Sequence, residues 1–145
     1  MTGMTIRSAD FADGERIPAQ FSAEGGNATP GLTIAGADPS AVELALVCHD
    51  ADAPDPGGFT HWTVYGIPPS TEELQDAGFR QGPNDAGTMS WWGPKPPVGH
   101  GTHHYTFTVY ALSRRVDGTP SRNEFLAEYS DAIIGEASLV GTYVR

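Results

Sequence analysis

The sequence predicts a mainly β fold, two packed sheets with one helix towards the C-terminus, and three observations carry that prediction. Several segments are rich in β-branched and aromatic residues and stop at glycine or proline. The chain holds 18 glycines and 12 prolines among hydrophobic runs, a composition of many turns rather than long helices. Only one longer segment carries helical signals at both its start and its stop.

Val42-Glu43-Leu44-Ala45-Leu46-Val47-Cys48 alternates and then becomes continuously apolar, as a buried strand does. His61-Trp62-Thr63-Val64-Tyr65-Gly66-Ile67 reads as the next strand, stopped by Pro68-Pro69. From Tyr105 to Leu112 the large residues Tyr105, Phe107 and Val109 share one face and the threonines share the other. Ser138 to Val144 reads as a terminal strand. Between these last two, Ser121 and Glu124 form a capping-box pattern and Phe125, Tyr129 and Ile133 recur at spacing four. With Gly135 as the stop, they predict a helix over 121–134. Thr71 to Ala77 predicts a shorter helical turn. Phe79 to Gly101 is a long Gly/Pro-rich connection, and loops of that length in compact domains usually carry function.

At 145 residues the chain is expected to form one domain, residues 1–145, with a core that needs no staples. A single cysteine, Cys48, forms no intramolecular disulfide and suits a reducing cytoplasm. No signal-peptide core, basic leader or membrane-length apolar stretch stands in the sequence, so cytoplasmic localisation without membrane insertion is expected. A formal net charge of −10 repels phosphate backbones and anionic lipid, which argues against nucleic-acid partners. A histidine-lined pocket still suits one small anion, because short hydrogen bonds outweigh a screened distant field.

All five histidines fall between His49 and His104, in company with paired aspartates, glycines and prolines. Imidazole switches between donor, acceptor and cation near neutral pH, so such a cluster is a candidate site. Asp50 and Asp52 follow the first buried strand, and the strand period of two puts both carboxylates on one side. Either aspartate alone serves equally well to accept backbone amides and pin a loop. The run Pro96-Pro97-Val98-Gly99-His100-Gly101-Thr102-His103 is rigid at one end and permissive at the other, which suits close approach of backbone to a ligand. The histidine spacings match no zinc template, and neighbours His103 and His104 point to opposite faces of a strand, so no metal is expected. No dinucleotide fingerprint or phosphate-cradling loop occurs, and no cofactor is expected.

Taken together, these segments resemble the phosphatidylethanolamine-binding protein family, in its bacterial Raf kinase inhibitor-like branch. The resemblance runs from Phe11-Ala12-Asp13-Gly14 and Gly25-Gly26-Asn27-Ala28-Thr29-Pro30 through Asp50-Ala51-Asp52-Ala53-Pro54 and His61-Trp62. It continues through Gly93-Pro94-Lys95-Pro96-Pro97 and His103-His104-Tyr105 to Gly141-Thr142-Tyr143-Val144-Arg145. It implies a β-sandwich of mostly antiparallel strands with a small anion pocket at one edge. By that analogy Asp50, His61 and His103 line the pocket together with Pro97, and Asp52 braces its loop. The analogy also implies a cis Ala53–Pro54 peptide and a homodimer. The sequence departs from the family pattern at His49, Ala51, Trp91-Trp92, Lys95 and His104, the last standing where arginine is usual. Loss of that arginine removes a permanent forked cation, and the indoles of Trp91 and Trp92 extend an apolar wall at the mouth.

Three functions follow. The first is binding of a small anionic or polar ligand by Asp50, Asp52, His61, Trp91, Trp92, Pro97 and His103. The second is an enzyme, an isomerase, cyclase or lyase, in which Asp50, His61 and His103 move a proton, joined by His49 or His104. The third, a kinase or protease inhibitor, rests on the family label alone.

Overall fold

A computed structural model describes residues 3–145. Its main element is an antiparallel five-stranded sheet. The sheet is built from β3 (Glu43–Asp50), β4 (Phe59–Ile67), β5 (Arg80–Gln81), β6 (His103–Leu112) and β7 (Ile133–Tyr143), in spatial order β5-β4-β3-β6-β7. A two-stranded antiparallel sheet, β1 (Thr5–Arg7) with β2 (Thr33–Ala35), adds Ile6 and Ile34 to the core on one face. The helix α1 (Arg122–Tyr129) lies on the other face, where Phe125 meets Tyr65 at 5.5 Å and Tyr110 at 5.4 Å between ring centroids.

β3 is central and covered on both sides, which is why its sequence is apolar almost throughout. Leu44, Leu46 and Cys48 enter the larger core, and Ala45 enters the cluster beneath α1. On β6 the alternation read from sequence holds, with Tyr105, Phe107 and Val109 buried and Thr106 and Thr108 half-buried. Because Asp50 pairs with Tyr105 and Cys48 with Phe107, the larger core runs along one face and ends at Asp50 and His103.

The predicted helix ends early. Its capping box is present, with Glu124 N–H donating to Ser121 Oγ and Ser121 N–H to the Glu124 carboxylate. After Tyr129 the chain tightens through one 3₁₀ turn, Ser130–Ala132, and Ile133 and Gly135 belong to β7. The reason is pairing: Ile133 opposes Leu112 and Gly135 opposes Ala111, so β-branched Ile133 and Ile134 extend the sheet instead of a helix face. The helical turn expected within 71–77 is a 3₁₀ turn, Leu74–Asp76. The short strands β1, β2 and β5 have two or three residues each, too few to show a period. The Ala53–Pro54 peptide is trans, as are all peptide bonds among the described residues, so the cis expectation is corrected.

The long connection is pinned by side chains rather than by secondary structure. Asn84, buried, accepts from the Ala86 and Thr88 N–H groups and donates to Thr88 Oγ1 and Ser90 O. Asn27 donates to Trp91 O and accepts from Gly93 N–H at 2.6 Å, clamping the chain on both sides of Trp92. Gly93 lies so close to the 21–23 backbone that a Cβ there would stand 1.9 Å from Phe21 O. Gly93→Ala is therefore expected to destabilise the fold by about 3 kcal/mol or more, since backbone cannot move aside as a flexible side chain can. Chemical denaturation checks this, and an unchanged midpoint would contradict the packing described.

Candidate functional site

Three strand ends meet at one cavity: the C-terminal end of β3 and the N-terminal ends of β4 and β6. The cavity holds about 250 Å³ and is lined by Asp50, Ala53, Pro54, Asp55, Phe59, His61, Trp92, Lys95, Pro96, Pro97, His103 and Tyr105. That is just below the range of about 300–1,000 Å³ typical of drug-sized ligand sites, so the space suits a small molecule or a headgroup.

Asp50 is buried at the end of the core, and each of its carboxylate oxygens accepts one hydrogen bond. Oδ2 accepts from His103 Nδ1 at 2.6 Å and Oδ1 accepts from the Asp52 N–H at 2.8 Å. The second bond folds the chain into an Asx turn directly after β3. His103 Nε2 faces His100 Nδ1 at 2.6 Å. The result is a hydrogen-bonded row from a buried carboxylate through a buried imidazole to the exposed imidazole of His100.

His61 reaches the same cavity through an irregularity in β4. Cys48 pairs with Trp62 while the next residue, His49, pairs with Thr60, so His61 is the extra residue of a β-bulge. Strict alternation would send His61 and Trp62 to opposite faces. Instead both approach Trp91, at 6.4 and 5.7 Å between centroids, and His61 meets Tyr105 edge-on at 5.0 Å. Its Nδ1 lies 2.5 Å from Trp92 O. A carbonyl only accepts, so Nδ1 carries the hydrogen and Nε2 of the neutral ring keeps its lone pair. Burial lowers the His61 pKa from 6.5 to about 4, against the opposing pull of the Trp92 carbonyl and Asp50. Burial, reinforced by the Asp50 charge, pushes the Tyr105 phenol far up and keeps its hydroxyl protonated.

Of the residues singled out from the sequence, Asp50, His61, Trp92, Pro97 and His103 come together around the cavity. Asp52 does not line it: its Oδ2 accepts from His104 N–H and Nδ1, both at 2.9 Å, on the outer side of the turn. Hydrogen bonds from His104 hold its carboxyl below the usual range. Period-two alternation fails here because Asp50 is the last residue of β3 and Asp52 already belongs to the turn. Trp91 is a core residue, stacked on Phe107 at 5.6 Å with its indole N–H on Phe21 O. His104 is exposed, opposite in direction to His103 as adjacent strand residues must be. His49 faces a separate cavity towards α1, where it meets Thr60 Oγ1 and Gly57 O, and burial lowers its pKa.

Sequence reasoning left out Tyr105, Phe59, Lys95, Pro96, Asp55 and the Ala53-Pro54 wall. Tyr105 and Phe59 each stand two residues from a predicted histidine on the same strand, so alternation could have found them. The contact of His100 with His103 closes through a loop and leaves no periodic trace.

A family profile described as phosphatidylethanolamine-binding protein matches residues 7–144. This chain belongs to the phosphatidylethanolamine-binding protein family. Among solved members, a putative phosphatidylethanolamine-binding protein homologue, CT736 of Chlamydia trachomatis, superposes with a TM-score of 0.91 at 29% identity, covering 100% of this chain and 99% of its own. YbcL of Escherichia coli, described as a member of the mammalian PEBP family, superposes with a TM-score of 0.89 at 28% identity, covering 98% of each chain. In sequence, the putative lipoprotein LppC of Mycobacterium tuberculosis is 42% identical over 146 residues, 97% of this chain and 72% of that protein. Among the described residues no helix is long and apolar enough to cross a membrane. The family's bacterial branch and its β-rich fold, expected from the motifs, both stand.

The neutral, buried state of His61 has a consequence for stability. The unfolded chain takes up a proton near pH 6.5 and the folded chain only near pH 4, so stability is complete above 6.5 and falls between those values. The expected loss is up to about 3 kcal/mol for His61 alone. Urea unfolding at pH 7 and pH 4.5 measures it, and His61→Gln is expected to flatten the dependence. An unchanged slope in that variant would disprove the assignment.

Proposed function

We propose that this protein binds a small anionic or polar ligand, bearing a phosphate, carboxylate or headgroup, in the cavity at the ends of β3, β4 and β6. The observation that carries the reading is the Asp50–His103 pair set beside His61 in one small cavity, with His100 hydrogen-bonded to His103 and with Lys95 and Tyr105 among the lining residues. Lys95 carries a cation and Tyr105 a hydroxyl donor suited to an anion, while Phe59, Pro96, Pro97 and Trp92 supply apolar walls. The family's own name supports a ligand of the headgroup type. A homodimer, implied by the family resemblance, is read by light scattering after size exclusion. The single, buried Cys48 supports a reducing, cytoplasmic setting, which cell fractionation tests.

The row itself favours a second reading, acid–base catalysis. A proton held between His103 and His100 has a path from a buried carboxylate towards solvent, as a proton-transferring site requires. Turnover of a small metabolite that is lost in His100→Ala, with a shifted pH–rate profile in His100→Gln, would establish it.

For the binding reading, calorimetric titration with inorganic phosphate is the direct test. Saturable binding is expected. Lys95→Ala, an exposed substitution that leaves the core intact, is expected to weaken it by about threefold to tenfold. Glu136→Gln, on the distant strand β7, is expected to leave it unchanged. Absence of saturable phosphate binding would sink the proposal.

A further inference from the structure

We infer that the cavity selects oxyanions that still carry a proton, so that a hydrogen phosphate is held and a sulfate of the same shape and charge is refused. The inference rests on the anion-site reading above and adds the protonation state of the ligand. Its basis is the direction of the hydrogen bonds. His61 Nδ1 is committed to the Trp92 carbonyl at 2.5 Å, which leaves Nε2 as a pure acceptor. Among the described residues no fully buried side-chain nitrogen or oxygen lacks a partner, and no protein group bonds Nε2, so this lone pair opens onto the cavity that His61 lines. Asp50 lines the same cavity, and its two oxygens are acceptors as well.

A ligand therefore meets acceptors in His61 Nε2 and Asp50, while Lys95 and Tyr105, which carry donors, are also lining residues. A fully deprotonated oxyanion satisfies the donors and turns lone pairs towards Nε2 and the Asp50 carboxylate. One O–H on the ligand converts that repulsion into a hydrogen bond. A site built to receive a hydroxyl rejects the analogue without one far more strongly than size alone would allow, because buried polar groups are left unpaired. Positive charge on His61 would reverse the preference by turning Nε2 into a donor. The groups that act on the ring are Asp50 from β3, His49 from the far side of β3, Asp85 from the loop after β5, and the Trp92 carbonyl. Tyr105 of β6 faces its edge, and burial, to which His49 adds, outweighs the opposing pull of the Trp92 carbonyl, Asp50 and Asp85.

The hydrogen phosphate and sulfate dianions have the same charge and tetrahedral shape, and only the phosphate carries a proton, so competition between them reads the effect. Calorimetric titration of the intact protein at pH 8 is expected to show inorganic phosphate binding at least about tenfold more tightly than sulfate. Methyl phosphate provides a second arm, because a phosphate monoester loses its last proton at pH ~6. Its affinity is expected to fall by about tenfold for each pH unit above that value, while inorganic phosphate, which keeps a proton, holds its affinity up to pH 8. Equal affinity for phosphate and sulfate, or a flat profile for methyl phosphate, would overturn this inference and leave the anion site standing. Failure of phosphate and sulfate alike to bind would overturn the anion-site reading and this inference with it. Nitrogen-15 NMR of the phosphate-bound protein gives an independent readout. A hydrogen on Nδ1 alone of His61 supports the inference, and hydrogens on both ring nitrogens refute it.

Discussion

At the inner end of the core, where β3 runs out, a carboxylate is buried among aromatic rings and must be paired where it stands. Asp50 and His103 both have almost no exposed surface, and the 2.6 Å contact between them is what makes that burial tolerable. Removing one partner of such a pair typically costs about 3–5 kcal/mol, because the remaining group is left desolvated and alone. Much nearby geometry follows from this contact. The Asx turn after β3 exists because the other Asp50 oxygen takes the Asp52 N–H. His103 is oriented by its Nδ1 bond, so its Nε2 can only point outward, towards His100.

The outer wall of the cavity is held by different means. The segment from Trp91 to Pro97 has no regular secondary structure, yet it is tied at both ends. Asn27 grips it before and after Trp92, and Gly93 allows an approach to the 21–23 backbone that no side chain would permit. At the other end the Arg145 guanidinium donates to Pro96 O at 2.6 Å and pairs with Glu24, while Gly99 N–H donates to Arg145 O. These hydrogen bonds and the close approach at Gly93 hold the loop against the fold, which favours a cavity formed before any ligand arrives.

The departures from the family pattern take on distinct physical meanings. His104, where arginine is usual, lies outside the cavity and braces the Asp52 turn, so the change leaves the cavity's own charge intact. Trp91 joins the core, while Trp92 lines the cavity, although the two are adjacent in sequence. Lys95 is an exposed basic residue on the cavity lining.

Periodicity and composition made the central strands, the helix cap and the histidine-bearing ends legible, because burial on one face repeats every second residue and a cap has local chemistry. The β6 alternation and the Ser121–Glu124 box were readable in this way, whereas the gathering of Asp50, His61 and His103 at one place was implied by the family resemblance. The helix end was not readable, since Phe125, Tyr129 and Ile133 fit a helical face equally well until Leu112 claimed Ile133 as a strand partner. Nor was the direction of individual site residues. A bulge turns His61 inward, a turn sends Asp52 outward, and a glycine-flanked loop brings His100 against His103. By itself the sequence determined which residues were available to the site and which strands carry them. Only the tertiary structure decided which of them face one another, because a register shift of one residue or a contact across a loop reverses a side chain without leaving any mark in the local pattern.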